Sequence, residues 1–179
     1  MVQQGLMCAL AWWLGNAIDR TLAWQTFQRP IVIATVTGLF LGDIQTGIVM
    51  GATLESIFMG ISAIGGSVPA DAMAASIIAV AYTIISGSDV ETGLALAMPI
   101  GTIMSSVNEM YKPVLASFAP HFEKLAASGD MKKFRAQTIF FGVFVDRLPQ
   151  CIILFLAISF GVNGLEAFMA SLPAWVMRG

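Results

Sequence analysis

Charge is the scarcest commodity in this chain. Of 179 residues, 11% are Asp, Glu, Lys or Arg, where about 25% is ordinary for a soluble globular protein. With 57% hydrophobic residues and a mean hydropathy of +0.80, the composition is that of an integral membrane protein. A formal net charge of -2, with no basic patch interleaved with aromatics, argues against a nucleic-acid partner. There are two cysteines, Cys8 and Cys151, both in apolar surroundings and without metal-ligand spacing or a C-x-x-C, so each reads as a small buried hydrophobe. The single histidine, His121, lies beside Pro120 and Glu123 in a polar stretch and reads as a solvated side chain rather than a phosphorylation or relay site. No nucleotide-binding loop, zinc spacing or serine or cysteine triad is visible, so no catalytic residue, metal ligand or cofactor is expected on this chain. The apolar N-terminus has no preceding Lys or Arg and no small-residue cleavage site, so a removed signal peptide is not expected. Gly5-Leu6-Met7-Cys8 comes too early to be a lipoprotein cleavage box.

What the chain does contain is organised around residues 29–71, RPIVIATVTGLFLGDIQTGIVMGATLESIFMGISAIGGSVPAD. This run is almost wholly apolar, yet it holds Asp43, Glu55 and Asp71. A carboxylate at membrane depth costs several kcal/mol unless it faces a partner, a cavity or a ligand. Pro30 to Gly42 is a segment of roughly 20 Å as a helix, short of the roughly 30 Å hydrocarbon core. A second piece, Ile44 to about Ile61, runs into Gly65-Gly66-Ser67-Val68-Pro69, where regular backbone is disfavoured. Irregular backbone survives in a membrane only where protein or a water-filled cavity satisfies it. Short apolar segments broken by Gly and Pro point to the binding site of a transporter. Gly38 and Gly42, and likewise Gly47 and Gly51, are four apart, a spacing that lets helix backbones approach closely; Glu55 continues the second row.

Around this core the chain divides into four regions. Residues 1–29 form an apolar helix, crossing or interfacial, with Trp12 and Trp13, followed by a loop in which Trp24 is a candidate interface anchor. Residues 30–107 form the core of broken helices. In it, Ala72 to Ser86 is a small-residue helix that Asp71 can cap, and Gly93 to Val107 is a short piece interrupted by Pro99. Residues 108–135 form an amphipathic linker whose Lys132-Lys133-Arg135 cluster marks it as cytoplasmic. Residues 136–179 hold the longest apolar run, with Asp146-Arg147-Leu148-Pro149 read as a salt link at a proline kink, and then the start of a further amphipathic segment. An echo joins two of these pieces, because Asp43-Ile44-Gln45-Thr46-Gly47 and Asp89-Val90-Glu91-Thr92-Gly93 share one pattern. It is either a degenerate structural repeat or two good helix starts, Ser88 with Glu91 making a capping box in the second. The fold class is therefore an all-α polytopic membrane protein of short, broken and re-entrant transmembrane helices, with possible internal repeats.

The run from Arg29 through Ile78 also resembles the IIC membrane component of the mannose-fructose-sorbose family of the bacterial phosphotransferase system. The likeness rests on the Arg-Pro, GD-x-x-TG, G-x-TLE and Pro-Ala-Asp elements in order. It implies a sugar-translocating subunit of the bacterial inner membrane, multi-pass in the lipid bilayer. Such a subunit binds a hexose or amino sugar and presents it at the cytoplasmic face to a separate IIB unit. It further implies a IID membrane component, IIA and IIB phosphocarriers, an assembly of several IIC-IID pairs, and phosphoryl-transfer residues on those other chains. For sugar contact the foremost candidates are Glu55 and Asp71, with Asp43, Ser67 and Gly66 behind them. From the residues alone, a membrane scaffold whose acids pair internally is the alternative. The Gly and Pro breaks favour transport, since a scaffold helix gains nothing from interruption.

Overall fold

A computed structural model describes residues 1–21, 26–61 and 67–171. Among them the chain is α-helical, with no strand. Gly66 and Trp24, named above, lie outside the described residues, as do Pro173 and Trp175 of the terminal segment. The helices are α1 (Val2–Thr21), α2 (Pro30–Leu41), α3 (Ile44–Phe58), α4 (Ala72–Ser86), α5 (Val90–Ala116), α6 (Ala119–Ala127), α7 (Met131–Phe140) and α8 (Leu148–Ser171), with a π-helical turn, Phe141–Val145, between the last two.

Helix α4 is the centre. Every residue from Met73 to Thr83 is buried, and apolar clusters form on two of its sides. One side packs Met73, Ile77 and Ala81 with Cys8 and Trp12 of α1, Ile33 of α2, and Leu154 and Ile158 of α8. The other packs Ala75, Ala79 and Val80 with Ala34 of α2 and Met50 and Leu54 of α3. A helix hydrophobic on all sides has to be enclosed. Helix α1 is a full member of the bundle: Trp12 is 1% exposed, and Gly5 lies so close to α8 that an added Cβ would stand 2.2 Å from the Ser159 hydroxyl.

Helices α2 and α3 form a re-entrant hairpin. At 12 and 15 residues they are about 18 and 22 Å long, so neither crosses a bilayer alone. Gly38, Gly47 and Gly51 are packing glycines: a Cβ on Gly47 would meet the Ala34 carbonyl oxygen at 2.7 Å, and one on Gly51 the Ala34 Cβ at 3.0 Å. Gly42 corrects the reading of two matching pairs. It has φ +87° with nothing near it and ends α2 as a left-handed cap, so its value is conformational.

The hairpin recurs in α4–α5. Gly87 (φ +65°) ends α4 as Gly42 ends α2. Asp89 caps α5 through the Thr92 amide (3.3 Å), as Asp43 caps α3 through the Thr46 amide (3.0 Å). Gly93 then packs against the Ala79 carbonyl as Gly47 packs against that of Ala34. The cap is Asp89 and not Ser88, whose hydroxyl pairs with Ser86 instead, and this aligns α5 with α3, the second turn being one residue longer. Their geometry is that of a degenerate repeat.

Two further expectations change. The sequence places a break at Pro99 and a linker from Asn108, but α5 is one helix of 27 residues running to Ala116. Pro99 is on its exposed side, where the missing amide bond can be absorbed by bending without disturbing the face packed on α4. The apolar stretch Met131–Gly161 is likewise long enough to cross a membrane, as is α5. It is interrupted by the π turn, closed by the Asp146 amide on the Phe141 carbonyl (2.9 Å). The Trp13 indole N–H donates to the Val143 carbonyl within that turn (3.1 Å).

Candidate functional site

A cavity of about 630 Å³ opens at the end of the bundle where α5 runs out, within the roughly 300–1,000 Å³ usual for small-molecule sites. The N-termini of α2 and α4 meet the C-terminal end of α3 there, and residues 105–115 of α5 and Asp146-Arg147 complete the wall. Two helix N-termini thus turn the positive ends of their dipoles toward one space.

Glu55 and Asp71 both line it. Glu55 arrives by the helical spacing that places Gly47, Gly51 and Glu55 on one stripe of α3, one turn beyond the close glycine contact. It forms an ion pair with Arg29 and accepts from the Ile31 amide at 3.2 Å, so it closes the start of α2. Asp71 caps α4: Oδ1 accepts from the Ala74 amide at 2.9 Å. Its Oδ2 faces the other way and accepts from Asn108 Nδ2 (2.8 Å) and Gln150 Nε2 (2.5 Å). The Tyr111 hydroxyl lies 2.9 Å from Asn108 Oδ1 and 3.3 Å from Gln150 Oε1, which closes the group. The Asp71 amide donates to the Gly101 carbonyl (2.9 Å), tying this corner to α5.

The other candidates are placed differently. Asp43 is at the far tip of the hairpin, with its carboxylate on the amide and hydroxyl of Thr46 (3.0 and 2.6 Å); the structure does not bring it to the cavity. Ser67 adjoins the lining residue Val68, and its hydroxyl is 3.4 Å from Glu109 Oε1. His121 is exposed, 2.8 Å from Gln137, and away from the cavity lining. The Asp146-Arg147 link exists at 3.3 Å, but the shorter bond of Asp146, at 2.5 Å, goes to Arg20 of α1.

Asn108, Tyr111 and Gln150 were not singled out from the sequence. Only weak signals pointed to them: Gln150 is a polar residue at the start of an apolar run, and Asn108 and Tyr111 are three apart, one helical turn. Four basic side chains (Arg20, Arg29, Lys112, Arg147) and four acidic ones (Glu55, Asp71, Glu109, Asp146) line the cavity, so its formal charge is balanced. Such a lining suits a neutral ligand rich in hydroxyls. Among the described residues no group of three or more His, Cys, Asp and Glu is arranged to hold a metal ion.

Comparison with known proteins decides the family. The model of the sorbose-specific IIC component of the phosphotransferase system matches residues 1–179. The chain belongs to this IIC family. The N-acetylgalactosamine permease IIC component 1 of Escherichia coli K12 is 29% identical over 177 residues, covering 98% of the chain and 65% of that protein. The mannose-specific EIIC component of the same strain is 29% identical over 156 residues, covering 86% and 58%. The fructose permease IIC component of Bacillus subtilis 168 is 26% identical over 152 residues, covering 85% and 56%. The chain therefore spans less than two thirds of the length of these IIC relatives. In fold it matches the cryo-EM structure of the mannose transporter ManYZ with microcin E492: TM-score 0.79 at 24% identity, covering all of this chain and 72% of that one.

Proposed function

We propose that this IIC chain is the sugar-binding and translocating subunit of a phosphoenolpyruvate-dependent phosphotransferase transporter in a bacterial inner membrane. It takes a hexose or amino sugar and delivers it inward to a IIB unit for phosphorylation. The observation that carries the reading is the convergence of Asp71, Asn108 and Tyr111 with the Glu55–Arg29 pair on one charge-balanced cavity beneath two helix N-termini, with the buried Gln150 holding Asp71 from behind. A sugar offers hydroxyl donors and acceptors with no net charge. Carboxylates and carboxamides held on fixed helix ends can read several hydroxyls at once, and charge-assisted bonds are the stronger ones. The family membership and the names of the relatives support the sugar class. The neighbour ManYZ, a two-component transporter by its name, supports a IID-type partner, and helices of spanning length support the membrane setting. The chain carries no phosphoryl-transfer residue in this reading, since His121 lies away from the cavity.

The test is binding of labelled mannose, fructose, sorbose and N-acetylgalactosamine to the full-length protein purified with its membrane partner. A hydrogen bond to a charged group is worth about 1.5–3 kcal/mol, so Asp71→Asn and Glu55→Gln should each weaken binding by about 10- to 100-fold while assembly persists. Binding of no sugar, with assembly lost in the Asp71→Asn protein, would instead favour the scaffold reading.

A further inference from the structure

A second hollow, about 370 Å³, opens where α6, α7 and the π turn meet; Phe122, Phe134, Thr138 and Phe141 form most of its wall. It shares just two lining residues with the first cavity, Arg20 and Asp146. These are joined to each other, Arg20 Nη2 to Asp146 Oδ2 at 2.5 Å. The ion pair therefore lines both hollows.

Three features hold the pair in place. Arg20 follows Asp19, which is 2% exposed and whose carboxylate accepts the amides of Thr26, Phe27 and Gln28 at 3.1, 2.7 and 2.9 Å, fixing the end of α1. Gly142 leaves room for the guanidinium, because a Cβ there would stand 3.0 Å from Arg20 Nη1. The π turn inserts an extra residue just before Asp146, and π turns of this kind often mark functional sites. The side chains of the pair are 27% and 19% exposed, so water can solvate both charges when they part, and such a pair is weakly held. Arg147, 3.3 Å from Asp146, is a second partner when Arg20 leaves.

The lining of the second hollow is chemically distinct. Phe141 contacts Phe122 at 5.1 Å between ring centroids, so apolar ring surface shares this hollow with a charged pair and Thr138. A sugar has the same division, with C–H faces and hydroxyl edges. Helix α7 also carries Lys132, Lys133 and Arg135, which puts this side in the cytoplasm by the positive-inside rule.

We infer that the second hollow is a second sugar station on the inward route from the first cavity, and that the Arg20–Asp146 pair is the partition between them. The inference rests on the sugar-site reading above. Its test uses the full-length protein with its membrane partner in inverted vesicles. Ala72→Cys places a thiol on the wall of the first cavity, and a charged, membrane-impermeant thiol reagent is added from the cytoplasmic side. Labelling is read by mass spectrometry on the peptide containing position 72. Arg20→Gln or Asp146→Asn should speed labelling about fivefold, the scale of a partly exposed ion pair, and the charge exchange Arg20→Asp with Asp146→Arg should reverse the gain. Equal rates in all four proteins would overturn the partition. No sugar is needed in this arm, so its failure is separable from failure of the sugar site. If the Arg20 and Asp146 variants do not accumulate, Thr138→Trp still decides the matter. Filling the second hollow should abolish uptake while the first cavity keeps its affinity for sugar, and unchanged uptake would refute the route.

Discussion

Replacing Gly47 with alanine puts the close crossing of α2 and α3 to a direct test. The added Cβ would stand 2.7 Å from the Ala34 carbonyl oxygen and 3.0 Å from Gly38 Cα, both backbone atoms with no rotamer to change. It falls roughly 0.7 Å short of ordinary contact at 3.4 Å, so the helices have to separate and give up dispersion contacts along the hairpin. Overpacking of this kind costs about 1–3 kcal/mol. Gly38→Ala meets the same obstruction from the other side, with Gly47 Cα at 2.9 Å. Once either Cβ has forced the helices apart, the second costs less, so the double variant should fall short of the summed effects by about 0.5–3 kcal/mol. Gly42→Ala meets no atom within 4 Å and bears only the left-handed backbone penalty at φ +87°, about 1–2 kcal/mol. Gly60 has open space and no positive φ, which makes Gly60→Ala the control. Thermal unfolding of the full-length protein in detergent should rank Gly47→Ala and Gly38→Ala least stable, Gly42→Ala between, and Gly60→Ala near the parent. A Gly47→Ala protein as stable as Gly60→Ala, or strictly additive losses at Gly38 and Gly47, would refute the backbone-contact argument.

Three other outcomes follow from the same geometry. Asp19→Ala strands three amides that now share one buried carboxylate; it should cost more than about 2 kcal/mol and shift the loop that carries Arg29 to Glu55, seen as faster amide exchange at Thr26 to Gln28. Asp89→Ala removes an exposed cap at 3.3 Å and should cost only about 0.5–1 kcal/mol in the same thermal assay. Lys132→Cys should react with an impermeant thiol reagent in inverted vesicles and not in intact cells; the opposite pattern would reverse the orientation of the bundle.

Local rules were enough for much of this. The ends of α2, α3 and α4 follow from Pro30, the Gly42-Asp43 break, Asp71 and Gly87, because capping and left-handed glycine are properties of a few neighbouring residues. The long α5 was hidden because Pro99 speaks locally for a break, while the helix is held by packing of its other face on α4, which no window of sequence contains. The site divides the same way. Glu55 and Asp71 were conspicuous as acids in an apolar run. Gln150 reaches Asp71 across 79 positions, and Arg20 reaches Asp146 across 126. Such partners are a product of tertiary assembly, and a neutral Gln or Asn raises no alarm of cost in the sequence as a carboxylate does.

The paired hairpins explain why the site is lopsided. Counting from the shared Asp caps, Glu55 of the first hairpin corresponds to Gly101 of the second. In the first, the side chain at this place reaches across to the amide of Ile31 and the Arg29 guanidinium, bridging the hairpin with charge. In the second there is no side chain, and the Gly101 carbonyl takes the Asp71 amide directly. A Cβ at Gly101 would lie 3.2 Å from that of Ala70 and 3.3 Å from that of Ala75, so its absence lets the start of α4 settle against α5. That close approach puts Asp71 within reach of Asn108, two turns further along the same helix. One hairpin thus contributes a charged bridge, and the other contributes backbone proximity that frees a carboxylate oxygen to face the cavity. Two copies of one structural device, unlike at Glu55 and Gly101 among other positions, thus give the cavity two unlike walls.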